Sequence, residues 1–141
     1  MSPPEARIVG PAGEAAIAAA EECLGGRLRT VVVYDEADYE VRYVSDVVRA
    51  QLGEAGVRET AAQLHGYVHL DFVERDLFAD LTPTAGDVRT TITRLDRVTF
   101  VRYLVEDAGV FLSVAPDADL TALCAAMDEA VEGARDDTGD A

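Results

Sequence analysis

His65 and His69 stand four residues apart, and their type and spacing could do chemistry. On a helix they would share a face, and with Asp71 and Glu74 close by they could hold a divalent cation. The pattern stops short of a metal motif. Gly66 lies between the histidines, no His-Glu-x-x-His sequence is present and no cysteine is near. The pair reads as ordinary surface or partly buried histidines, and no metal ligand is assigned.

Asp35-Glu36-Ala37-Asp38 has the spelling of a helicase box, but a phosphate-binding Gly-x-x-x-x-Gly-Lys loop is excluded because the chain contains no lysine. The stretch reads as a solvated turn. Asp117 and Asp119 could approach a cation, but a short carboxylate before an apolar periodic segment is first of all a helix cap. Ser113 sits in an apolar run without the Gly-x-Ser-x-Gly elbow of a nucleophile. Tyr34, Tyr39 and Tyr43 read as packing. Arg102 is different: strand alternation places it on the same face as Phe100 and Leu104, the face that should be buried. An inward arginine needs a carboxylate partner or an anionic ligand, unless its stem carries the charge to the sheet edge. Arg102 is therefore the one candidate ligand anchor. No catalytic residue, cofactor or cofactor-binding residue is assigned, and the chain is not expected to be an enzyme.

These side chains sit in an unusually acidic chain. Its 141 residues carry 27 Asp and Glu against 12 basic residues, all arginine, for a net charge of −15. Self-repulsion of that size opposes compaction unless salt screens it, and at ~1 M salt the Debye length falls to about 3 Å. The composition looks like that of a protein from a salt-in haloarchaeal cytoplasm. It argues against nucleic-acid binding, which needs a basic face. No apolar run approaches the ~20 residues of a membrane helix, and no secretory signal is evident. A cytoplasmic location follows, and there Cys23 and Cys124 are expected to be free thiols.

The elements that must position these residues form one domain over 13–133, with a flexible leader over 1–12 and a flexible acidic tail over 134–141. An alanine-rich helix runs from Glu14 to Leu24 and ends at Gly25-Gly26. Val31-Val32-Val33 marks an interior strand over 28–34. Tyr39–Val44 alternates, with Tyr39, Val41 and Tyr43 on one face, so 28–44 is a hairpin. Ser45 caps a helix that Gly53 and Gly56 break. A second helix is expected over 57–68, and Leu70–Leu81 is again helical, with Val73, Leu77 and Leu81 at helical spacing. Strands follow over 88–95, 98–105 and 110–114, joined by tight turns. Asp117 or Asp119 then opens a final helix whose Leu120, Leu123, Cys124, Met127 and Val131 form one stripe, with Gly133 as its stop. The fold class is α+β: a five-stranded antiparallel sheet with helices packed against it, in the order α-β-β-α(α)-β-β-β-α.

This order, with Phe111-Leu112-Ser113-Val114 feeding the Leu120, Leu123 and Met127 helix, resembles the roadblock/LC7 domain, a profilin-like fold. Roadblock domains have one helix between strands two and three. The longer 45–81 segment is similar to that of PAS domains, which share the sheet order. The stretch from Tyr39 to Asp46 also resembles a lineage of small haloarchaeal proteins. The roadblock resemblance implies a non-enzymatic adaptor or regulatory module that pairs with itself or another protein through the middle helix and third strand. The expected interface is therefore the helical middle with the edge strand carrying Val88, Thr90 and Ile92. The PAS resemblance implies instead a small-ligand sensor with a pocket between the helical middle and the sheet, anchored by Arg102.

Overall fold

The structure, a computed structural model, describes residues 8–138. Helix α1 (Pro11–Leu24) leads through a tight 3-10 turn into β1 (Leu28–Tyr34) and β2 (Tyr39–Val44). Helices α2 (Asp46–His65) and α3 (His69–Leu81) follow. Then come β3 (Thr90–Arg94), β4 (Thr99–Val105), β5 (Ala108–Val114) and α4 (Leu120–Thr138). The strands form one antiparallel sheet in the order β2-β1-β5-β4-β3, with β5 at its centre between β1 and β4. The continuous valine run of β1 and the apolar run of β5 occupy the positions covered on both faces, as such sequences require.

Register assigns side chains to the two faces, because directly opposed residues share a face. Val31, Leu112 and Val101 line up across β1, β5 and β4, as do Val33, Val110 and Tyr103. These rows pack against Ala16, Ile17, Ala20 and Leu24 of α1 and Leu123, Met127 and Val131 of α4. Asp119 caps α4, its Oδ1 accepting from the N–H of Ala122 at 3.0 Å, while Asp117 faces Arg27 at the surface. Tyr103 donates to Asp128 of α4 at 2.6 Å, which ties sheet to helix.

The second face carries the rows Thr30–Ser113–Phe100, Val32–Phe111–Arg102 and Tyr34–Gly109–Leu104. Arg102 thus shares a face with Phe100 and Leu104. Ser45 caps α2 as its sequence predicts, accepting from the N–H of Val48 at 3.4 Å. Gly53, with φ 72° and ψ 170°, interrupts α2 in a conformation open to glycine, so α2 crosses the sheet as two segments.

Several boundaries differ from the sequence reading. Val9 is buried and α1 begins at Pro11, so the leader does not extend to residue 12; residues 1–7 lie outside the described set. Gly133 does not stop α4, which continues to Thr138, because a glycine with helical φ costs a helix little near its end. The remainder of the expected tail, 139–141, lies outside the described residues. Val88 precedes β3, which is shorter than 88–95. In β2 a bulge at Arg42 puts Tyr43 opposite Val31, on the other face from Val41, and Arg42 pairs with Glu14 of α1 at 2.8 Å.

Candidate functional site

The face under α2 and α3 holds the residues singled out for chemistry. Asp71 is the third residue of α3, lies between Leu70 and Phe72 in the first turn, and is 4% exposed. Its Oδ2 accepts from the Tyr34 hydroxyl at 2.6 Å and its Oδ1 from Nη1 of Arg102. A strand residue of β1, a strand residue of β4 and a helix residue therefore meet at one carboxylate. The carboxylate that an inward Arg102 requires is supplied from α3, 31 residues away in sequence. Burial, then the bond to Asp71, raise the Tyr34 phenol far above its ordinary pKa, so it remains a donor.

Tyr34 reaches Asp71 because its ring lies across Gly109. A Cβ at position 109 would stand 2.3 Å from the ring, so glycine is required there by space. Phe72 meets Tyr34 edge-on at 6.2 Å, and Arg75 lies 5.3 Å over the Phe72 ring while donating to the carbonyl of Glu106. Together these contacts lock one side of α3 to the sheet.

The other side of α3 is apolar and uncovered. Leu70, Val73, Leu77, Phe78 and Leu81 are between 42% and 64% exposed. A helical apolar stripe ordinarily faces the core; here the buried side is built from Asp71 and Phe72 instead. The expected interface residues are distributed as follows. Thr90 and Ile92 lie on edge strand β3 opposite Tyr103 and Val101, on the α4 side of the sheet, with Ile92 exposed. Val88 is half-buried in the loop before the strand. Among the described residues, no strand lies beside the outer backbone edge of β3.

The two histidines are not brought together as a helical i, i+4 pair. His65 ends α2 and His69 begins α3, with Gly66, Tyr67 and Val68 between. His65 meets the carbonyl of Asp35 at 3.0 Å and lies 5.0 Å from the Tyr39 ring. Asp35 closes its own turn, accepting from the N–H groups of Ala37 and Asp38. Ser113 is buried and shares a 2.6 Å hydrogen bond with Thr30. Cys23 and Cys124 are both free. No group of three or more acidic, His or Cys side chains among the described residues could hold a metal ion. No helix among them is long and apolar enough to cross a membrane.

Sequence reasoning missed Asp71 as the shared partner of Arg102 and Tyr34. The available signal was the acidic residue inside Leu70-Asp71-Phe72, but its partners lie on two distant strands. A groove of about 560 Å³ lies between α2 and the sheet, where the PAS resemblance implies a pocket, floored in part by Val32, Phe100 and Phe111 and roofed by Val48 and Leu64; Arg102, the expected anchor, is not among the residues that line it.

The fold is that of roadblock/LC7 domains. The structure of a roadblock/LC7 domain from Streptomyces avermitilis is 19% identical, with TM-score 0.50 over 78% of this chain and 84% of that one. The structure described as MglB with tetrameric arrangement is 15% identical, with TM-score 0.51 over 89% of each chain. At these identities the likeness concerns the fold. No curated protein matches the chain. Residues 14–132 match a family described as a domain of unknown function, and the chain belongs to that family, DUF7522.

Proposed function

We propose that this protein is a non-enzymatic adaptor or regulatory module of roadblock type that pairs with a second copy of itself in a salt-rich cytoplasm. The outward apolar stripe of α3 carries the reading. A continuous row of large aliphatic and aromatic side chains on one helix is characteristic of a surface that a protein partner covers. The unpaired edge of β3 supports it, since an open strand edge offers a row of backbone donors and acceptors to another chain. Two copies related by a two-fold axis could join β3 to β3 and lay each α3 against its counterpart. MglB, a chain of the same fold, is described in a tetrameric arrangement, which agrees with self-association. The charge of −15 supports the salt-rich setting.

Light scattering in molar KCl tests the pairing. The wild-type chain gives a dimer mass, and Leu77→Asp or Ile92→Arg gives a folded monomer. An unchanged mass in both variants removes this interface. Transfer to dilute buffer expands the chain if salt screening holds it compact; retained compactness refutes the salt-rich reading.

A second reading, a PAS-like small-ligand sensor, is favoured by the groove beneath α2.

A further inference from the structure

The groove has a chemical character opposite to that of the molecule. The chain carries 27 acidic side chains, yet none of those among the described residues lines this groove. Two arginines do, Arg29 and Arg97. Neither takes part in an ion pair or side-chain hydrogen bond among the described residues; the same holds for Arg58, Arg94 and Arg135, which lie outside the groove, while Arg27, Arg42, Arg49, Arg75, Arg89 and Arg102 have acidic partners. With more than two carboxylates per guanidinium in the chain, what sets Arg29 and Arg97 apart is that both line one groove that no described carboxylate lines.

Local structure places both at the same end of the sheet. The β1–β5 register shifts between Leu28 and Thr30, so Arg29 is the extra residue of a bulge. Bulges re-aim side chains at sheet ends. Arg97 lies in the tight turn between β3 and β4, whose ends are closed by the N–H of Leu95 donating to the carbonyl of Val98. Thr99, just after it, and Leu28, just before Arg29, both pair with Val114 of β5. The hydroxyl pair Thr30–Ser113 stands one position further along the floor. The sheet side beyond it is aliphatic and aromatic, with Val32, Val41, Phe100 and Phe111, while α2 adds the uncharged polar side chains of Gln51, Thr60 and Gln63 to the wall. The charged groups of a largely apolar channel therefore stand at one end of the sheet, and they are two cations with no anion.

We propose that this groove binds a free amphiphilic acid, an extended apolar chain ending in a carboxylate, with the carboxylate held between Arg29 and Arg97. A volume of about 560 Å³ suits one such molecule. A guanidinium forms strong charge-assisted bonds to a carboxylate, and the hydroxyl pair offers a further donor. The site is concave and lies under a helix, whereas an anionic bilayer would meet the acidic exterior of the chain. A free ligand is therefore the occupant. The proposal deepens the sensor reading and does not depend on self-association.

The test uses dansyl-labelled undecanoate and its uncharged methyl ester at one fixed salt concentration. The acid binds with saturable, blue-shifted emission at one site per chain, and the ester binds about tenfold more weakly, the equivalent of one lost charge-assisted contact. The Arg29→Gln/Arg97→Gln double variant keeps its circular dichroism and weakens the acid to the level of the ester. Thr60→Trp, at an exposed position of the groove wall, reduces binding of both probes. Equal affinity for acid and ester in the wild-type chain overturns the assignment of an acid while leaving the sensor reading. No saturable binding of either probe removes both, and binding unaltered by Thr60→Trp places the probe elsewhere and overturns the site. Co-flotation with phosphatidylglycerol vesicles overturns the free-ligand assignment.

Discussion

The two faces of the sheet use similar apolar rows and come to opposite ends. On the α1–α4 side, Val31, Leu112, Val101 and Met127 are fully buried, and the helices turn their apolar stripes inward. On the α2–α3 side, the core is smaller, a groove remains under α2, and the stripe of α3 turns outward. What holds α3 in place there is the buried Asp71 with its two partners, together with Phe72 and Arg75, rather than its apolar stripe. One face therefore carries stability, and the other leaves surface free for binding.

The largest effect should come from truncating the closed face. Leu112→Ala removes a fully buried side chain between two helices, and a loss of about 3–4 kcal/mol is expected in denaturant unfolding. Leu77→Ala on the outer side of α3 should change monomer stability by no more than about 0.5 kcal/mol. Equal losses at the two positions would erase the distinction between the faces.

Asp71→Ala comes next. It strips Arg102 and Tyr34 of their partner at once. Because the Arg102 side chain is 26% exposed, the cost should fall to about 2–3 kcal/mol, below that of breaking a fully buried pair. Hydrogen exchange should show α3 opening while α1 and α4 keep their protection. Uniform loss of protection would mean that the carboxylate supports the whole core and not the helix alone.

The smallest effect is at Tyr34. Tyr34→Phe removes one hydrogen bond to Asp71, at a cost of about 1 kcal/mol near neutral pH. Its pH dependence is more informative. Burial raises the Tyr34 phenol above the usual value of about 10, and burial does the same to Tyr103 on the other face. The folded chain thus keeps protons that the unfolded chain releases above about pH 10. Stability is fully present below that pH and falls as pH rises through the alkaline range. Tyr34→Phe and Tyr103→Phe should each flatten part of that fall, and the Cys124 thiol, which burial also raises, contributes to what remains. If Tyr34→Phe leaves the alkaline slope unchanged, the hydroxyl is not held as its contact with Asp71 requires.

Much of the architecture was legible in the chain. The valine run of β1, the apolar run of β5, the cap at Ser45, the break at Gly53 and the stripe from Leu123 to Val131 are local signals, and each corresponds to an element or boundary. Alternation along β4 also placed Arg102 on the face of Phe100 and Leu104. Local signals failed where two requirements competed. Gly133 has the character of a helix stop, but without a left-handed φ the helix runs on. Arg42 breaks the alternation of β2 because a bulge adds one residue to the strand. His65 and His69 have the spacing of one helix and belong to two.

By itself the sequence determined the class, the order of the elements, the charge and the absence of a recognisable catalytic motif, since these follow from composition and short-range periodicity. Only the tertiary structure decided which side of α3 meets the sheet, which carboxylate Arg102 finds, and that Arg29 and Arg97 stand together at one end of an apolar groove. Periodicity shows that a helix has an apolar side. It does not show which side is buried, because that depends on partners 31 and 37 residues away, brought to Asp71 only when the strands pair.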